Sequence, residues 1–130
     1  GAVALVVLLD QLNRNVHRGT ARMFEHDPLC LEVCREVVAR GWHHDGSLAA
    51  PEVAHISIAL THSEDAADHR FNLDTLLPEL MAAPSFPPLQ RADFEGHRHM
   101  ARVHADEVGR FGRFPHRNAL LGRETTAEEA

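Results

Sequence analysis

Two stretches of the chain hold more polar and charged side chains than helix amphipathicity requires. They are Asp10-Gln11-Leu12-Asn13-Arg14-Asn15-Val16-His17-Arg18-Gly19 and Arg110-Phe111-Gly112-Arg113-Phe114-Pro115-His116-Arg117-Asn118, and Thr61-His62-Ser63-Glu64-Asp65 lies between them. Arg14 and Arg18 are one helical turn apart, while Arg110, Arg113 and Arg117 fall at and beyond the end of another helix. Brought together, their planar guanidinium forks would hold a phosphate or carboxylate bidentately, and Gly112 would allow close backbone approach. With Asp10, Gln11, Asn15 and Asn118 they form a candidate site for an anionic small molecule. His62, His104 and His116 are the candidate acid–base groups, and Glu64 is placed to orient one of them.

The same residues have a structural use. Asp10, Glu64 and Asp65 could neutralise the arginines in a buried ion-pair network that fixes helix packing, and the histidines could serve as hydrogen-bonded packing groups. Buried arginines are more often paired in this way than ligand-binding, so the structural use is favoured. No G-x-S-x-G elbow, P-loop, G-x-G-x-x-G or H-E-x-x-H is present, and whether the chain is an enzyme stays open. His43-His44 and His97-x-His99 are dense in imidazole, but residues two apart on a helix face different ways. His62, Glu64 and His104 make the better metal trio on paper; neither a metal nor a cofactor is expected.

Composition narrows the classes further. A formal charge of −6 and the absence of lysine argue against nucleic-acid binding, so Phe111 and Phe114 read as core anchors rather than base-stacking platforms. The longest apolar run, Ala2 to Leu9, is far short of a bilayer span and has no basic flank, so neither a membrane nor secretion is expected and the location reads as cytoplasmic. Cys30 and Cys34, four apart, read as reduced packing residues on one helix face.

The elements that must position these groups are helical. Leu5, Leu8, Leu9, Leu12 and Val16 predict a first helix from Ala2 to about Arg18, apolar all round in its first two turns. Asp27 as N-cap and Pro28 at the first position predict a second helix ending near Arg40 at Gly41. Pro51 opens a third through Leu60, despite the strand-like alternation of His55-Ile56-Ser57-Ile58. Thr61 and Glu64, spaced as a capping box, predict a fourth from about Ser63 to Met81. A prolyl loop over residues 82–88 precedes a long helix from Leu89 to Arg110, with Phe94, His97, Ala101, His104 and Val108 on one stripe. Thr125 and Glu128 signal a last helix. The expectation is an all-α single domain, residues 1–130, a bundle of about five helices. An all-apolar first helix without an N-cap and a helix start at the last residues suggest that this domain is cut at both ends.

The three polar blocks resemble the signature segments of the bacterial family known as domain of unknown function 924: its DQ-x-x-RN-x-x-RG, HSED and RFGRFPHRN blocks, in that order. The likeness extends to Thr20-Ala21, Asp27-Pro28-Leu29, His104 and Leu121-Gly122-Arg123-Glu124-Thr125-Thr126 with Glu128. The chain departs from the pattern at Asn13, His69, His55, Ser57 and Ala59. The resemblance implies a tetratricopeptide-repeat-like helical fold and a helical N-terminal portion, rich in tryptophan and phenylalanine, ahead of Gly1.

Three function classes follow. The first is an arginine- and histidine-lined site for an anionic metabolite. The second is a protein-interaction scaffold whose arginine network is internal, favoured by an exposed apolar groove. The third is a truncated copy without independent function, self-associating through its exposed first helix.

Overall fold

The computed structural model describes the backbone of residues 1–83 and 88–130, and the side chains of all of these except 88–93. The expected prolyl loop therefore lies largely outside the described residues. The chain is all-helical, with no strand among the described residues.

Helix α1 covers residues 2–16 and is regular over Ala2–Val7 and Asn13–Val16, with one wider π turn over Leu8–Leu12 between them. Val3, Val6, Asp10 and Asn13 are buried, whereas Leu5, Leu8, Leu12 and Val16 are 40 to 66% exposed. After a 3-10 turn, Ala21–Phe24, helix α2 runs over Asp27–Ala39. Pro28 stands in its first turn as expected and Gly41, at φ 72°, follows its end. Asp27 does not cap it: no side chain does, because the Asp27 carboxylate is engaged by two arginines.

Helix α3, Ala50–Leu60, settles the alternating His55–Ile58 segment as helix. Val53, Ile56, Ala59 and Leu60 are buried at helical spacing, and Ser57 is fully buried as well. A helix enclosed on most of its sides leaves no polar stripe, so its sequence can mimic the period of a strand.

Helix α4 covers residues 66–82, regular over Ala66–Phe71 and Leu77–Ala82 with a π turn over Asn72–Leu76. The π turn lies just before Pro78, which lacks the N–H of a regular ladder and whose ring would meet the carbonyl of residue 74. Its N-cap is Asp65, which accepts the Ala67 N–H at 2.8 Å. The expected Thr61/Glu64 box does not form: Thr61 donates back to the Ile58 carbonyl, and Glu64 is occupied elsewhere. Helix α5, Pro88–Phe111, is the longest, and Gly112 at φ 68° turns the chain into a 3-10 turn, Pro115–Arg117, and the short α6, Asn118–Leu121.

Helices α1, α2 and α3 pack on one another, α4 lies on α3, and α5 lies on α4. The core is Val3 and Val6, Cys30, Cys34 and Val37, Val53, Ile56, Ala59 and Leu60, with Leu76 and Leu80 closing it. Both cysteines are free and buried, as packing residues should be. The expected last helix does not form among the described residues: residues 127–129 make only a turn, across which Thr126 and Glu129, not Thr125 and Glu128, exchange the reciprocal bonds of a capping box.

Candidate functional site

The polar half of α1, the first turn of α2, the loop after α3 and the 3-10 turn before α6 converge on two buried carboxylates. Asp10, 2% exposed, accepts from Arg14 Nε at 2.8 Å, from His62 Nδ1 at 2.7 Å and from the Gln11 amide. Asp27 accepts from Arg14 through both oxygens at 2.8 Å and from Arg117 at 3.1 Å. Arg117 also donates to the His62 carbonyl at 2.8 Å, and its guanidinium lies between the rings of Phe24 and Phe114, 4.6 and 4.5 Å from their centroids. Burial alone would raise the Asp10 carboxyl, but hydrogen bonds from His62, Arg14 and Gln11 outweigh it and hold the group far below the usual carboxylate range. At Asp27 burial wins, and the carboxyl sits somewhat above its ordinary value against the pull of Arg14 and Arg117. Burial likewise depresses Arg117, whose Nε has no hydrogen-bond partner among the described residues.

A second cluster joins the loop after α3 to the C-terminal segment. Arg123 grips Glu64 with two bonds of 2.8 and 2.9 Å, and Glu64 also accepts the Phe114 N–H at 2.8 Å. These bonds outweigh partial burial and lower the Glu64 carboxyl. Arg113 pairs with Glu129 at 2.6 and 2.9 Å, and Asn118 accepts from Arg123 while donating to Glu129. Phe114, 1% exposed, is the hub: His69, His104 and His116 surround its ring with centroid distances of 6.1, 5.3 and 5.3 Å.

The histidines divide by environment. His69 donates Nε2–H to the Ser63 carbonyl at 2.7 Å. His97, 3.1 Å from the Ser57 hydroxyl, is pushed down to about 4 by burial and then by nearby His62 and His104. His104 is also lowered by burial, and its enclosed Nδ1 makes no well-formed hydrogen bond among the described residues. His116 is exposed, 3.6 Å from Glu107. His62 differs from these: Asp10 holds its Nδ1, its side chain is 22% exposed, and its Nε2 has no hydrogen bond among the described residues.

Of the expected ligand set, Asp10, Gln11, Arg14 and Arg117 come together in one network. Arg113 and Asn118 belong to the Glu64–Glu129 cluster, Arg110 makes an exposed pair with Glu128 at 3.3 Å, and exposed Arg18, in the turn just past the end of α1, bonds only Asn15 among the described residues. The inward arginines are thus matched by carboxylates, as the structural use requires. Asp10, not Glu64, orients His62. Asp65 contributes little: it caps α4 and lies 3.7 Å from Arg35, which pairs mainly with Asp68. Three members of the two networks were not among the expected site residues: Asp27, read as a helix cap, and Arg123 and Glu129. The glycine stop at Gly122 followed by an arginine was the available signal for Arg123.

The family model described as "Bacterial protein of unknown function (DUF924)" matches residues 1–130. Among solved structures, the chain is similar to a protein of unknown function from Agrobacterium tumefaciens, with 38% identity and a TM-score of 0.73 over 98% of this chain. The chain spans 64% of the length of that protein. No curated protein matches.

Proposed function

The chain belongs to the DUF924 family of bacterial proteins of unknown function, and from that premise we propose that it acts as a helical protein-interaction module whose arginine–carboxylate network is internal scaffolding. The observation that carries this reading is the outer face of α1, where Leu5, Leu8, Leu12 and Val16 are 40, 53, 49 and 66% exposed. Spacings of three, four and four make a continuous apolar stripe along three turns, the seam that a second helix covers. The tetratricopeptide-like arrangement implied by the family likeness fits the same use. The occupant is a second copy of the chain, whose own α1 offers the same stripe in a two-fold contact.

Light scattering across a concentration series tests this, with Leu8→Glu and Leu12→Glu as exposed variants. Association that rises with concentration and is lost in both variants supports the reading. A monodisperse monomer at every concentration overturns it.

A second reading is favoured by the Asp10-held His62, which has the form of an oriented acid–base group with one nitrogen open. Here the chain binds an anionic metabolite at His62, and Arg18, which among the described residues bonds Asn15 rather than a carboxylate, is the member of the expected ligand set left to take the anion. Thermal unfolding against phosphorylated and carboxylated metabolites separates the two. A ligand of the native state must raise the midpoint, and His62→Gln must remove the rise.

A further inference from the structure

The loop between α2 and α3 and the last turns of α4 bring three ligand-type side chains together on a face remote in sequence from the signature blocks. His43 Nε2 lies 2.9 Å from His44 Nδ1 and 3.9 Å from a Glu79 carboxylate oxygen, and all three donor atoms fall within 4.8 Å of one another. Ligand bonds of about 2.0–2.2 Å at tetrahedral angles place neighbouring donor atoms about 3.4 Å apart. The His43–His44 separation falls below that value and the His43–Glu79 separation above it, so the donors must open at His44 and close at Glu79 to take an ion.

The two rings are held in ligand-like poses. The His43 side chain is 6% exposed, with its ring edge-on to Phe71 at 5.9 Å. Its enclosed Nδ1 makes no well-formed hydrogen bond among the described residues, and the Val37 carbonyl close to the ring is the type of backbone oxygen that commonly fixes the tautomer of a metal-binding histidine. The His44 ring is seated on Gly41: a Cβ there would come within 3.2 Å of His44 Nε2, and φ 72° already excludes most side chains. Packing thus turns Nδ1 of His44 inward toward His43.

We propose that His43, His44 and Glu79 bind one divalent transition-metal ion of the zinc type, with the fourth coordination position open to the adjoining cavity. That cavity has a volume of about 250 Å³, and Leu48, Val53, Leu76 and Leu80 form much of its wall. Three protein ligands and one open position make a site at which a bound water or an oxygen-donor ligand completes the shell. The site is independent of the α1 stripe.

The test uses the purified chain with Co²⁺ and Zn²⁺ as probes. Co²⁺ is followed by its visible ligand-field absorption, and Zn²⁺ by calorimetry and by displacement of Co²⁺. The expected result is one ion per chain in a four-coordinate environment. His44→Ala and Glu79→Gln, both at exposed positions, should keep the helical circular dichroism while weakening affinity by about tenfold or more, since loss of even a group that only hydrogen-bonds a metal ligand costs that much. Two outcomes overturn the proposal: no stoichiometric binding of either ion, or binding that is equally tight in both variants and therefore belongs to other surface histidines.

Discussion

Asp10 on α1 and His62 in the loop after α3 meet at 2.7 Å across 52 residues of chain. The same carboxylate takes Arg14, and Arg14 passes on to Asp27, so a single chain of charge-assisted bonds ties three elements together before Arg117 adds a fourth. In such a chain the removal of one acid leaves its arginines buried without compensation.

Asp27→Ala should therefore destabilise the fold by about 3–5 kcal/mol, because Arg14 and Arg117 both lose a partner. Their side chains are only 14 and 6% exposed, so water cannot replace it. Urea unfolding measures the effect, and a loss under about 1 kcal/mol would show that the network is slack.

Acid should weaken the fold in two stages. His97, with a folded value of about 4 against an ordinary 6.5, binds its proton more readily when unfolded. Its contribution is complete above about pH 6.5 and is lost as the pH falls toward 4. Asp10 is depressed, so its contribution is complete above the ordinary carboxylate value and is lost only below it. Thermal midpoints between pH 7.5 and 3 should fall throughout this range, and His97→Gln should make the upper part shallower while leaving the lower part unchanged, with His43 and His104, also lowered by burial, supplying the remaining slope. A midpoint independent of pH between 7 and 5 would contradict the burial of His97.

Phe114→Ala should cost about 3–5 kcal/mol, the usual range for deleting a buried aromatic ring. The loss should exceed that of Phe111→Ala, since Phe111 is only half-buried and its ring packs beside the Arg110 guanidinium. Paired denaturation curves decide; equal losses would remove Phe114 as the hub.

Glu64→Gln should act locally. The carboxylate is 29% exposed and the Arg123 side chain 23%, so global stability should drop by less than about 1.5 kcal/mol. Hydrogen exchange of the Phe114 N–H, which Glu64 accepts, should accelerate more than that of α3. Uniform acceleration over the whole chain would mean that this clamp is global.

The helices were legible because their punctuation is local: Pro28, Gly41, Pro51 and Gly112 stand where the structure starts or stops each element. The polar blocks were legible as a group, since Asp10, Arg14, His62 and Arg117 do converge. Which acid serves which arginine was not legible, for that depends on packing between elements dozens of residues apart. Asp27 could satisfy a helix-cap pattern and an ion pair equally well on paper, and only the approach of Arg14 and Arg117 decides between them. The capping boxes misled for a related reason: Glu64 finds Arg123 a stronger partner than a backbone N–H, and Asp65 takes the vacated cap.

The π turns at Leu8–Leu12 and Asn72–Leu76 each fit one residue more into a turn than a regular helix does, while the segments on either side keep their facing. They are consequently the two places in these helices where the chain could lose a single residue and relax to ordinary pitch without rotating one half of the helix away from its partners. A deletion elsewhere in α1 would swing Val3 and Val6 by about 100° relative to Asn13 and Arg14. Length variation among relatives should gather at these turns, which act as adjustable joints between the oily and the charged halves of the fold.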